Sequence, residues 1–363
     1  MKYVDEFRNA RLVHKIAAKI STLNPGDTLN IMEVCGTHTQ NFCRFGLAKL
    51  LPENIRLISG PGCPVCVSPQ GYIDAAIKLA KNNDLLIITF GDMLRVPGSS
   101  STLEKERARL GNVRVAYSPL EALAVARANP DKKVVFLAVG FETTAPTIAL
   151  SILEARKENL KNLFFLSSLK LIPAAMQYLL LDKRLKVSGF LCPGHVSAVI
   201  GTKDYAFIPK KYKIPCCVTG FEPVDILEGI YMILKQIVTG RAYVANQYTR
   251  IVAPAGNLRA KAIIRQVFQV SDANWRGLGI IPGSGLELKN RFSGFDAGRM
   301  FSVAGLQNKT EPIKRCRCSE VLKGLISPPD CRLFGQSCRP DNPLGPCMVS
   351  GEGACNAYYK FRP

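Results

Sequence analysis

Sulfur dominates the reactive side chains of this sequence, which holds 13 cysteines against 3 histidines. Six of those thiols, Cys316, Cys318, Cys331, Cys338, Cys347 and Cys355, crowd into a closing segment rich in Gly and Pro. In a reducing compartment, clustered thiols bind metal or carry electrons rather than act as disulfide staples. Many thiols with few histidines favour soft, sulfur-rich sites, an iron–sulfur cluster or zinc. Four thiolates around a cluster would also replace the hydrophobic core that such a segment lacks. The spacings are wider than the ligand ladders of bacterial ferredoxins and lack the paired knuckles of zinc ribbons. The ligand set read from them is Cys316, Cys331, Cys338 and Cys355. Cys318 is the alternative to Cys316, and Cys347, in a tight Gly-Pro-Cys turn, is spare. A structural zinc site is the rival use of the same thiols.

Two further thiol motifs lie near the N-terminus. Cys63-Pro64-Val65-Cys66, inside GPGCPVC, has the spacing at which two sulfurs join as a disulfide or share a metal. A helix beginning near Cys66 would stabilise a thiolate there. Cys35-Gly36-Thr37-His38 follows an apolar run and Glu33. This thiol and imidazole could hold a soft metal, or His38 could act as base to the thiol. A buried cysteine beside a hydrogen-bonded histidine is the structural alternative. Cys43 and the Cys216-Cys217 pair read as packing. The acidic, hydroxyl and imidazole candidates each follow a strand-like run: Glu142, Thr143 and Thr144 in GFETT, Glu222 in GFEP, Asp92 in FGDML and His195 in CPGH. No P-loop and no complete G-x-G-x-x-G fingerprint appears, so a nucleotide site has no direct support.

These motifs must be positioned by an alternation of strand and helix. Residues 1–24 read as an amphipathic helix stopped by Pro25-Gly26. LNIMEVCG, IRLISGPG, LLIITFGD, VVFLAVGFE, LFFLSS, VSGFLCPG and IPCCVTGFE then read as strands, with helical patterns between them. Near-continuous apolar strands alternating with helices argue for parallel α/β sheets. The expected architecture is two similar parallel-sheet α/β domains around a central cleft, plus a small C-terminal iron–sulfur region. Its divisions are an N-terminal helix in 1–30, a first domain in 31–150, a second in 151–245, and a helical, loop-rich region in 246–363. Helices and connections are expected over 228–310, and the metal-stapled module over 311–363. Ligand sites in open α/β sheets lie beyond the carboxyl ends of the strands, which is where CGTH, GPGCPVC, GFETT, CPGH and GFEP fall.

The net charge is +20, from 48 Lys and Arg against 28 Asp and Glu. The basic residues are scattered, without aromatic interleaving or a nucleic-acid motif, so an acidic partner or a plain basic surface is expected, and not nucleic acid. No apolar run is long enough for a transmembrane helix, and the N-terminal stretch lacks the apolar core of a secretory signal. No membrane association and a cytoplasmic location are expected.

Taken in order, CGTH at 35–38, GPGCPVC at 60–66, GFETTAPT at 140–147, CPGHVSAVIG at 192–201, GFEPVDIL at 220–227, WRGLG at 275–279 and the tail ending in EGACNAYYK resemble the HypD family of [NiFe]-hydrogenase maturation proteins. The resemblance covers nearly the whole chain. It implies a scaffold on which an Fe(CN)2CO group is assembled together with a small HypC-type chaperone and with HypE, which supplies cyanide. It implies that Cys35 is the iron-site cysteine, that Cys63 and Cys66 are a redox-active pair, and that the tail cysteines ligate a [4Fe-4S] cluster fed by an external electron donor. His38 would assist Cys35, and Glu142, Thr143 and His195 would line the cleft. One departure is visible: Ser168-Leu169-Lys170 precedes LIPAAM where a His-Lys step is expected, which removes any histidine role there. Two other readings compete. One is an iron–sulfur-dependent thiol-disulfide oxidoreductase acting on other proteins, and the other a non-catalytic interaction protein with a zinc tail.

Overall fold

Apolar runs that end in glycine become strands here because they are covered on both faces, and the amphipathic stretches between them supply the cover. The computed structural model describes residues 4–307 and 316–361. Of the closing segment expected from 311, residues 311–315 and 362–363 lie outside the described residues. The strands are β1 (Leu29–Glu33), β2 (Ile55–Ser59), β3 (Leu85–Thr89), β4 (Val113–Val115), β5 (Lys133–Gly140), β6 (Leu163–Lys170), β7 (Gly189–Pro193), β8 (Cys216–Thr219), β9 (Val244–Asn246), β10 (Phe268–Trp275) and β11 (Gly279–Leu288).

They form two sheets. The five-stranded sheet runs β2-β1-β7-β8-β9 and is parallel throughout. The six-stranded sheet runs β10-β11-β6-β5-β3-β4. Its β6-β5-β3-β4 part is parallel, and β11 and β10 add an antiparallel hairpin at one edge. Every residue of β3 is buried, as a central parallel strand under helices on both faces must be. One continuous core draws Phe190 and Val218 from the first sheet and Val135 and Leu166 from the second.

Strand membership does not follow the linear divisions at 150 and 245. The boundary at 150 falls within the helix Ala145–Lys157, which is the crossover between two hydrogen-bonded neighbours, β5 and β6. The first sheet joins β1 and β2 to β7, β8 and β9, so the second sheet is inserted between them, and β10 and β11 return to it. Crossover connections let sheet neighbours stand far apart in sequence, which a linear reading misses. The stretch up to 310, expected as helices and connections, also contains this hairpin. Pro282, Gly283 and Gly285 obscure its strand pattern. Gly285 is required because a Cβ there would stand 2.8 Å from the Ala273 Cβ across the pair.

The N-terminal helix spans Ala10–Leu23 and is capped by Asn9, whose side chain accepts the Leu12 N–H at 3.1 Å. It lays Val13, Ala17 and Ile20 against the helix Pro223–Val238. The tail forms short helices and turns, ending in the helix Ala354–Phe361, which packs on the helix Gly36–Arg44.

Candidate metal and thiol centre

The first sheet places four of the singled-out loops at one end. CGTH follows β1, GPGCPVC follows β2, CPGH closes β7, and GFEP follows β8. β1 lies between β2 and β7, where the strand order reverses, and such a switch point opens a crevice beyond the strand ends. Cys35 stands at that point, as the N-cap residue of the helix Gly36–Arg44.

The CxxC loop crosses directly over Cys35. The Gly36 N–H donates to the Gly62 carbonyl at 3.0 Å, and a Cβ on Gly62 would stand 2.4 Å from the Cys35 Cα. Only glycine permits this approach. Next in the chain, Cys63 and Cys66 are joined as a disulfide with Cα atoms 5.2 Å apart. The Cys66 N–H also donates to the Cys63 sulfur at 3.2 Å. Cys63 is 3% exposed and Cys66 is fully buried.

Cys35 is buried between two carboxylates. Its N–H donates to Glu33 Oε2 at 3.1 Å, and the Thr39 hydroxyl donates to Glu33 Oε1. Glu352, from the tail, accepts the Thr37 hydroxyl at 2.9 Å. A Cβ on Gly36 would meet the Glu352 carbonyl oxygen at 2.4 Å, so the tail lies on the first residue of this helix. Burial, and then the Glu352 charge, push the Cys35 thiol up to about 12, while the N–H groups of Thr37 and His38 act the other way. Burial likewise pushes Glu33 up to about 8 and raises Glu352. The buried thiol and the carboxyls beside it, all shifted toward their protonated forms, make a pocket that a cation would reverse: a soft metal would take the thiolate, and the carboxylates would balance its charge. Neither carboxylate was among the sequence candidates. Glu33 was visible only as a neighbour of CGTH, and Glu352 reaches Cys35 from 317 residues along the chain.

His38 takes a different part from the one expected. Its Nε2 donates to the Gly220 carbonyl at 2.9 Å and lies 3.0 Å from the Thr219 hydroxyl. Burial pushes it down to about 4, so the ring is neutral. The Gly220 bond assigns the proton to Nε2 and leaves Nδ1 as an acceptor with no partner. Among the described residues no hydrogen bond joins this ring to the Cys35 thiol. The side chain pins CGTH to the end of β8, and the thiol is met by the His38 backbone instead. His195 comes to the same place through Phe221, on which it stacks at 4.0 Å between ring centroids, with His38 at 4.9 Å.

The remaining candidates are not drawn in. Glu142 is buried at the end of β5, in the other sheet, where its Oε1 accepts the Ile172 N–H at 2.9 Å and its Oε2 has no partner. Burial pushes it up to about 8. Thr143 is exposed on the turn, and it is Thr144 that packs under Gly140. Glu222 caps its helix and pairs with Arg8, the Arg8 Nη2 lying 2.9 Å from Glu222 Oε1. Asp92 accepts the Ser350 hydroxyl at 2.6 Å and so ties the tail to the six-stranded sheet.

In the tail, all six thiols line one small cavity, with Val321, Leu333, Phe334 and Met348 completing its wall. Cys318 stands close enough to Cys316 and to Cys347, and Cys347 to Cys355, for these thiols to perturb ionisation within the ring, that of Cys318 downward and those of Cys316 and Cys347 upward. The Leu344 N–H approaches the Cys338 sulfur at 3.5 Å. Cys347, read above as spare, is fully buried in the middle of this chain of thiols. Gly345 keeps the cavity clear, since a Cβ there would stand 2.8 Å from the Cys316 sulfur. Among the described residues no three thiols, imidazoles or carboxylates converge on one point to hold a single metal ion. A sulfur-only ring around an apolar cavity fits a cluster, whose ligands bond to separate irons, better than zinc, whose four ligands share one centre. The ring also reaches the disulfide: the Cys66 sulfur lies 3.8 Å from the carbonyl of Pro346, the residue before Cys347.

The family model HypD, described as the hydrogenase formation hypA family, matches residues 10–362. The chain is 47% identical over 372 residues to a hydrogenase maturation factor HypD of Azotobacter vinelandii, covering 99% of this chain and 97% of that one. It is 44% identical over 370 residues to the hydrogenase maturation factor HypD of Escherichia coli K12, covering 100% and 98%. It is 43% identical over 350 residues to a putative hydrogenase expression/formation protein of Methanocaldococcus jannaschii, covering 96% and 95%.

Proposed function

The chain belongs to the HypD family of hydrogenase-formation proteins, and on that basis we propose that it is the scaffold on which the Fe(CN)2CO group is assembled. The observation that carries the proposal is the contact of the CxxC loop with Cys35, with the thiol ring one residue beyond Cys66. This contact supports the reading because the Cys35 thiol, the Cys63–Cys66 disulfide and the sulfur-lined cavity follow one another at one sheet end.

The iron is the cargo. Cys35 supplies one soft thiolate, and a cysteine of a HypC-type chaperone supplies another. Thiolate donates charge to a low-spin iron that also carries cyanide and carbon monoxide. Loss of the Cys35 proton is costly in its buried, acidic surroundings, so the thiolate forms as the iron arrives. The Thr37 and His38 N–H groups, at the start of a helix, then hold the sulfur in place. Opening the Cys63–Cys66 disulfide takes up two electrons and two protons, and closing it returns them beside the iron. Cys316, Cys331, Cys338 and Cys355, with Cys318 and Cys347 in the same ring, would hold a [4Fe-4S] cluster, which supplies single electrons when bound. HypE brings the cyanide, and an external donor brings the electrons.

The competing reading, a thiol-disulfide oxidoreductase for other proteins, requires a disulfide that a protein substrate can reach. The burial of both Cys63 and Cys66 speaks against it. Among the described residues no helix is long and apolar enough to cross a membrane.

The test is complementation. In a strain lacking its own HypD, this chain restores hydrogenase activity, and Cys35→Ala restores none while keeping its iron and acid-labile sulfide. Full maturation by Cys35→Ala would remove Cys35 from the iron site.

A further inference from the structure

The turn between β10 and β11 belongs to the six-stranded sheet, yet it reaches across to both sulfur centres. The Arg276 N–H donates at 2.8 Å to the carbonyl of Val67, the residue after Cys66. Gly277 follows with φ of +79°, and a Cβ on it would stand 2.6 Å from the Cβ of Ser319, the residue after Cys318. The Arg276 backbone is therefore held between the CxxC loop and the thiol ring. The residue is 7% exposed. Its Nη2 donates only a long bond, 3.4 Å, to Gln70 Oε1, and its Nη1 is buried without a partner. Among the described residues it makes no ion pair with a carboxylate. Thiolates at Cys318, Cys347 and Cys316 would each favour its charge.

A guanidinium keeps its charge at any relevant pH, and burying it unpaired is costly. That cost is offset once the thiols beside it carry negative charge. We propose that Arg276 is a positioning residue that balances the negative charge of the metal-loaded thiol ring and, through Val67, holds that ring in register with the Cys63–Cys66 loop. This rests on reading the ring as an iron–sulfur site. A thiolate-ligated cluster carries net negative charge, and uptake of one electron adds to it. A fixed buried cation favours the reduced form and raises the potential.

The test uses the full chain, purified anaerobically, as wild type, Arg276→Gln and Arg276→Lys. Iron and acid-labile sulfide are measured first, and then the cluster is titrated with dithionite and mediators and followed by electron paramagnetic resonance. At the wild-type midpoint the Arg276→Gln variant is expected to show a reduced-to-oxidised ratio about tenfold lower, which is about 59 mV for a one-electron couple. Arg276→Lys is expected to stay close to wild type. An Arg276→Gln variant with full iron and an unchanged midpoint would overturn the proposal. If Arg276→Gln loses its iron, Arg276→Lys decides: recovery of iron supports a role for the charge, and equal loss overturns it. Wild-type protein without iron and sulfide would instead refute the cluster reading itself, and the proposal with it.

Discussion

Gly62 crosses Cys35 so closely that a Cβ on Gly62 would stand 2.2 Å from the Cys35 backbone nitrogen. The Cys63–Cys66 loop and the Cys35 thiol are thus held together by the backbone rather than by side chains that can swing. Gly62→Ala should force the loop away. Overpacking of this kind costs about 1–3 kcal/mol, which denaturant unfolding would measure. The expected result is a loss of maturation greater than the loss of folded protein. A Gly62→Ala variant with wild-type stability and maturation would show that the contact is not needed.

Removal of iron should act locally. The thiol ring lies at the centre of the tail segment, whereas the sheets rest on extended apolar cores to which the tail adds few residues, among them Leu322 and Val349. Chelation under reducing conditions should open residues 316–361 to limited proteolysis and leave most of the helical circular dichroism unchanged. Equal protection of the tail with and without iron would contradict the stapling role.

Glu142 offers a pH test outside the thiol centre. Burial pushes its carboxyl up to about 8 in the folded chain, against an ordinary 4.5. Between those values the unfolded chain has released a proton that the folded chain keeps. Stability from this group is therefore full below about pH 4.5 and is lost as pH rises toward 8. The slope is at most about 1.4 kcal/mol per pH unit, one proton's worth. Glu142→Gln should unfold with a pH slope smaller by up to that amount. An unchanged slope would mean that Glu142 is ionised in the folded protein.

Much of this was readable in the residues. The strand ends were legible because runs such as LNIMEVCG and VSGFLCPG are apolar throughout and stop at glycine, and their loops carry the thiols and imidazoles. The spacing of Cys63 and Cys66 left a disulfide or a shared metal open, and the structure joins them as a disulfide. What stayed hidden depends on contacts distant in sequence. Nothing local indicates that Glu352 reaches Thr37, that Arg276 meets Val67, or that β7 joins β1 while β3 goes to the other sheet. The hairpin Phe268–Leu288 was missed because the proline and glycines that allow its close approach also erase the alternation that marks a strand. His38 looked like a base because its ring stands beside a thiol in the sequence, but the helix turns that ring toward Gly220.

The central claim, that Cys35 holds the iron on which cyanide and carbon monoxide are assembled, is tested most directly by infrared spectroscopy. The chain would be co-produced with a HypC-type chaperone and purified anaerobically, as wild type and as Cys35→Ala. The account predicts cyanide and carbon monoxide stretches in the wild-type complex and none in Cys35→Ala, with the brown cluster absorbance equal in both. The same stretches in Cys35→Ala, at wild-type intensity, would contradict it.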